Sequence, residues 1–248
     1  MLLPIGDDNR DRRTTPFANY FLIIVNILVF VFLQNMGSNE KFTNSFSLVP
    51  EEIVSGEDIV TNGGVYTDPQ TGEKVRVTGL QPTPSPVYIT FFTSIFMHAG
   101  IAHIFGNMLF LFIFGDNVED RLGHFRYLVF YLVIGILASI SHIIATYMFG
   151  GNPLIPVLGA SGAISGVLAA YLILYPRKRV RVIIFYFLTE VPAIFVIGIW
   201  FLFQLLSGIG MLGGNLESGV AYGAHIGGFI SGLILVGFFL IGRRKKYN

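Results

Sequence analysis

A serine between glycines, Gly159-Ala-Ser161-Gly162, and a histidine ahead of a glycine pair, Ala224-His225-Ile-Gly-Gly228, supply the two side chains that make a nucleophile and its base. A third island, His103-Ile-Phe-Gly-Asn107, sets two hydrogen-bond donors four residues apart, on one face of a helix. All three interrupt apolar stretches. A polar group inside lipid must be paired or must work, so these islands define the candidate site. The chemistry open to them is acyl transfer. A hydroxyl attacks a carbonyl, an imidazole moves the proton, and donors hold the developing oxyanion, among them the free N–H groups of a helix that begins at Ser161.

The elements that must position these residues are membrane spans. The chain is 53% hydrophobic and only 12% charged, with the charges confined to blocks between long uncharged runs. Six spans are expected, at roughly Phe17–Leu33, Ile101–Phe114 with an apolar lead-in from Tyr88, Tyr127–Phe149, Ala160–Tyr175, Val191–Leu206 and Ala221–Ile241. Backbone polar groups in lipid must bond within their own segment, so the fold class is an all-α polytopic bundle. The length of the runs, without two-residue alternation, excludes a β-barrel. Residues 1–16 read as a cytoplasmic leader, 17–242 as the membrane domain with an outer loop over 37–87, and 243–248 as a basic cytoplasmic tail. With no small-residue cleavage pattern after the first run, span one reads as retained.

Thirteen of the sixteen basic residues lie before span one, between spans two and three, between spans four and five, or after span six; only Lys41, Lys74 and Arg76 lie elsewhere. The positive-inside rule puts both termini in the cytoplasm. A formal net charge of +1 gives no support to nucleic-acid binding, and zero cysteines exclude disulfides and thiolate metal sites. The outer loop is rich in turn chemistry, Asn62-Gly-Gly64 and Asp68-Pro-Gln-Thr-Gly72, with Glu73–Thr78 as a short strand between turns.

Counting helix rise of ~1.5 Å per residue from the inner basic blocks puts Ser161 about 24 Å up, His225 and His103 about 27 Å, and Asn107 about 21 Å. All four fall in one layer below the outer surface of a core ~30 Å thick. Span four is too short to reach that surface, so the loop before it dips inward around protein or water. The pairs Gly162/Gly166 and Gly228/Gly232 predict that spans four and six cross at close range. That would bring His225 to Ser161. Neither span carries a carboxylate, so the pair reads as a dyad. His142 shares the layer without flanking glycines and is expected to be interhelical or cavity-lining. His98 and His124 are expected at the surface or an interface, and Ser165 in local bonding.

These motifs, in this order, resemble the rhomboid family of intramembrane serine proteases, from about Phe17 to Ile241. The stretch Gly106–Gly123 is similar as well. The resemblance implies Ser161 as nucleophile and His225 as base, with His103, Asn107 and the Ser161 N–H as the oxyanion site flanked by Gly159 and Gly162. It implies transmembrane-protein substrates cut near the outer end of their span, with no metal and no cofactor. A compact six-span chain with no presequence is expected as a multi-pass protein of a prokaryotic cell (plasma) membrane rather than of an organelle. Span five, with Trp200, and the Gly208–Gly223 loop would resemble the family's lateral gate and cap. One departure is Ser165, where some bacterial members have a tyrosine beneath the base; another is the long loop before span two. Two rival readings are an inactive relative that binds membrane clients and a small-solute transporter. The presence of both Ser161 and His225 argues against the first, and the absence of internal repeats against the second.

Overall fold

The computed structural model describes residues 2–67, 74–212 and 221–243. In chain order the elements are β1 (Leu2–Asp7), α1 (Phe17–Leu28, continued by a wider helical turn over Val29–Leu33), α2 (Glu40–Phe46), α3 (Pro50–Ser55), β2 (Gly64–Thr67), β3 (Lys74–Val77) and α4 (Thr90–Thr93). There follow α5 (Ile101–Leu122), α6 (His124–Met148), α7 (Ser161–Leu174), β4 (Arg179–Ile184), β5 (Phe187–Pro192), α8 (Ala193–Leu212) and α9 (Tyr222–Leu240).

Apolar helices stand at each of the six expected spans, forming a polytopic helical bundle. Helices α5, α6 and α9 are each long and apolar enough to cross a membrane, whereas α1 with its extension, α7 and α8 are shorter apolar helices. Helix α7 lies at the centre, buried from Gly162 to Tyr171 and packed against α5, α6 and α9. Helix α9 packs mainly on α6 and α7 and much less on α8. Phe114, Tyr127, Phe130, Tyr131, Leu168 and Tyr171 are fully buried between the helices.

Lipid tails are as apolar as leucine, so helix association here depends on close packing of small residues. A methyl group on Gly228 would stand 2.1 Å from the Gly162 carbonyl oxygen, and one on Gly232 would stand 2.5 Å from that of Gly166. The two glycine pairs therefore form the α7–α9 crossing expected from the sequence.

Three features differ from the sequence reading. Helix α5 runs eight residues past Phe114, carrying Asp116, Asn117 and Glu119 into burial. They are satisfied by the N-terminal segment. Glu119 accepts the Ala18 and Asn19 N–H groups at 2.9 and 2.6 Å, an anion at the α1 N-terminus. Arg12 reaches Asp116 at 2.5 Å, and the Asn117 amide donates to Asp7 at 2.8 Å. Secondly, the leader carries a strand that the sequence reading did not include. Strand β1 pairs antiparallel with β4, and β4 with β5, in a three-stranded sheet with Leu2 opposite Ile184. Val180 and Val182 face inward while Arg179 and Arg181 face out, a two-residue alternation hidden inside a basic loop. Span five accordingly starts at Ala193, because Val191 and Pro192 belong to β5. Thirdly, the lead-in from Tyr88 is a separate run of short helical turns ending at Phe96, where Met97 turns extended.

The basic segments gather at one end of the bundle, where Arg126 donates to the Phe239 and Ile241 carbonyls. At the other end, α2 and α3 cover the site-bearing loops. Buried Glu52 accepts from the Ile59 N–H and the Thr83 hydroxyl, and β2 pairs with β3 where the sequence suggests a strand. The turn at 68–72 and the basic tail from Arg244 onward lie outside the described residues.

Candidate active site

Ser161 is the first residue of α7. The irregular chain before it is pinned rather than free. Leu48 and Val157 exchange both backbone hydrogen bonds, at 2.9 and 2.7 Å, and the Gly159 N–H donates to the Ser94 carbonyl at 2.8 Å. Gly159 has φ +122°, a conformation side chains rarely permit. This bend starts a helix in mid-bundle, leaving its first N–H groups and the positive end of its dipole beside the Ser161 hydroxyl.

His225 lies in the first turn of α9 and is 9% exposed. Its Nε2 is 2.7 Å from Ser161 Oγ. The close α7–α9 crossing makes that contact possible, since the glycines of both helices let the backbones meet. Its other nitrogen, Nδ1, is 2.7 Å from Gln204 Oε1 on α8. Gln204 was missed in reading the sequence. The signal was there, because it is the one amide, hydroxyl or charged side chain between Ala193 and Leu206. An amide in an otherwise apolar span is itself a mark of a working group.

His103 Nδ1 accepts the Ala99 N–H at 3.3 Å, so the neutral ring carries its proton on Nε2. That nitrogen faces the notch at Gly159. A methyl group there would stand 2.9 Å from His103 Nε2 and 3.8 Å from Ser161 Oγ. Asn107, one helical turn along α5, is buried with its Nδ2 unpaired among the described residues. Gly162 is sealed against Ala138 and Ala224. Beside Ser161 lies a cavity of about 20 Å³ lined by Ser94, Ser139, Gly159 and Ala224, above the ~10–15 Å³ that one water needs.

His98, expected at the surface or an interface, is fully buried, at an interface with its ring 5.1 Å from that of His103. Gln34 holds its backbone at both ends, donating to the His98 carbonyl at 2.8 Å and accepting its N–H at 3.0 Å. Sequence spacing could not anticipate a clamp sixty-four residues away. His142 packs against Gly223 with Nδ1 unpaired among the described residues, His124 pairs with Glu119 at the other end of the bundle, and Ser165 donates to the Ser161 carbonyl at 2.7 Å. The cap loop expected over 208–223 falls largely outside the described residues.

Comparison with known proteins gives the same direction. The family model described as "Rhomboid domain" matches residues 86–243. The chain is 34% identical over 143 residues to Rhomboid protease GluP of Bacillus subtilis, covering 58% of this chain and 25% of that protein. It is 32% identical over 171 residues to RHOMBOID-like protein 1 of Arabidopsis thaliana, covering 63% of this chain and 35% of that one. With the mitochondrial Rhomboid protein 1 of Saccharomyces cerevisiae it shares 29% over 153 residues, 61% of this chain and 42% of the other. The matched region thus spans a quarter to about two fifths of these relatives.

Proposed function

The chain belongs to the rhomboid family, and we propose that it is an intramembrane serine endopeptidase that cuts membrane-protein substrates near the outer end of a transmembrane segment. The observation that carries this reading is the 2.7 Å contact between Ser161 Oγ and His225 Nε2 inside an apolar bundle. A relative named as a rhomboid protease supports it.

The substrate segment must unwind locally, because a helical carbonyl is already bonded and shielded. As Ser161 Oγ adds to the carbonyl carbon, its proton passes to His225 Nε2. The carbonyl oxygen becomes an oxyanion held by His103 Nε2–H, the Asn107 amide and the Ser161 N–H. Collapse breaks the C–N bond, and the His225 proton leaves with the amine, giving an acyl ester. A water then adds to the ester while His225 takes its proton, and the second collapse releases the acid and returns that proton to Ser161. The residues in these roles need no metal or nucleotide.

In this reading residues 1–16 and 243–248 flank the 17–242 membrane domain on the cytoplasmic side of the cell membrane. The site opens toward the outer face, beneath the 37–87 segment. The test is cleavage of a single-span model substrate in liposomes. Wild type is expected to cut and to be labelled at Ser161 by a fluorophosphonate, and Ser161→Ala to do neither. Cleavage that survives Ser161→Ala ends the assignment. A folded wild type that neither cuts nor labels points instead to a client-binding relative.

A further inference from the structure

We propose that Gln204 is the positioning residue of the base: its amide oxygen accepts the Nδ1–H of His225 and holds the ring in the tautomer whose Nε2 lone pair faces Ser161. This rests on the reading of Ser161 and His225 given above. It supplies the third member that the sequence, with no carboxylate in α7 or α9, left unfilled.

A neutral imidazole has one N–H and one lone pair, and which nitrogen carries the proton is set by the bond made at the other. Nδ1 has the Gln204 oxygen at 2.7 Å, and an amide oxygen can only accept. The proton is therefore on Nδ1, leaving Nε2 free to take the Ser161 proton. Were the amide nitrogen turned to the ring, the proton would sit on Nε2 and the base would be blocked. An amide sets this orientation without placing a charge inside the bundle, where an unpaired carboxylate is costly.

The same face of α8 supplies a second support. Trp200, one turn earlier, lies with its ring 6.1 Å from that of His225. Ser165 cannot take this part, because its hydroxyl is turned to the Ser161 carbonyl. The base is thus oriented from α8, not from the helix that carries the nucleophile. Helix α8 is lightly packed on α9, and an apolar cavity of about 120 Å³ lined by Phe110, Leu168, Trp200 and Phe203 lies where it meets α5 and α7. The tautomer accordingly depends on how α8 is seated.

The experiment pairs kinetics with ¹⁵N-histidine spectra in nanodiscs. In Ser161→Ala protein, where no turnover occurs, His225 is expected to show protonated Nδ1 and unprotonated Nε2. Adding Gln204→Leu is expected to convert this to a tautomer mixture, and Gln204→Glu, which keeps an oxygen there, to restore it. In the active protein, Gln204→Leu is expected to lower kcat by about tenfold or more with KM within about twofold, since an orienting bond acts on the transition state. Gln204→Met serves if the leucine variant does not fold. A kcat within about twofold of wild type in a folded variant without the acceptor, or an unchanged Nδ1–H signal, overturns the proposal. Absence of any Ser161-dependent cleavage would count against the protease reading alone, because the spectra decide Gln204 without turnover.

Discussion

The sharpest perturbation is one methyl group at Gly228. Its Cβ would stand 2.1 Å from the Gly162 carbonyl oxygen and 3.0 Å from the carbonyl carbon. Both are backbone atoms of the residue after Ser161, so no flexible side chain can yield. Ordinary contact begins near 3.4 Å, and Gly228→Ala must therefore push α9 off α7 by about 1.3 Å. Carried to the preceding turn of α9, that shift stretches the 2.7 Å Ser161–His225 bond to about 4 Å, beyond hydrogen-bond range. A displacement of ~1 Å at reacting groups costs about 10²-fold in rate, and overpacking costs about 1–3 kcal/mol of stability. The assay is kcat/KM on a fluorogenic single-span substrate in liposomes, with thermal unfolding measured in parallel. Gly237→Ala, on the same helix with open space around it, is the control and is expected to be neutral. If Gly228→Ala keeps kcat/KM within about threefold of wild type, the claim that the glycine crossing sets the catalytic distance is wrong.

Two further outcomes follow from other parts of the molecule. Asn107→Ala removes one proposed oxyanion donor and is expected to lower kcat by about 10²–10³ without unfolding the protein; an unchanged kcat would remove Asn107 from the site. At the other end, burial pushes the Asp7 carboxyl up to about 6, against the lowering effect of the Tyr171 hydroxyl and of Lys178. The folded state then binds this proton more tightly than the unfolded chain. Its contribution is complete below about pH 4 and is lost as pH rises through 6, about 3 kcal/mol in all. Asp7→Asn is expected to unfold at a higher temperature than wild type at pH 8 and at nearly the same temperature at pH 4. A difference that does not change with pH would overturn this account.

Much of the fold was legible because lipid imposes strict rules on sequence. Long uncharged runs must be helices, and polar islands within them must be paired or working. The α7–α9 crossing was equally legible, because two small-residue pairs leave little else for those faces to do. Charges at the ends of spans misled. The expected end of span two at Phe114 assumed that Asp116, Asn117 and Glu119 face water, whereas the N-terminal segment folds back to bond them. Of the two positions open to His98, surface or interface, the contact with distant Gln34 selects the interface.

The sequence by itself determined the class of molecule and the six apolar helices, and it singled out Ser161 and His225 as the candidate pair, because composition, span length and glycine spacing are local properties. Only the tertiary structure decided what holds the His225 ring. Gln204 and His225 sit on different helices twenty-one residues apart, and no periodicity relates them. It also decided that the leader is a strand. Hydrogen-bond partners in a bundle are chosen by how helices and strands pack, and that choice is written in no single segment.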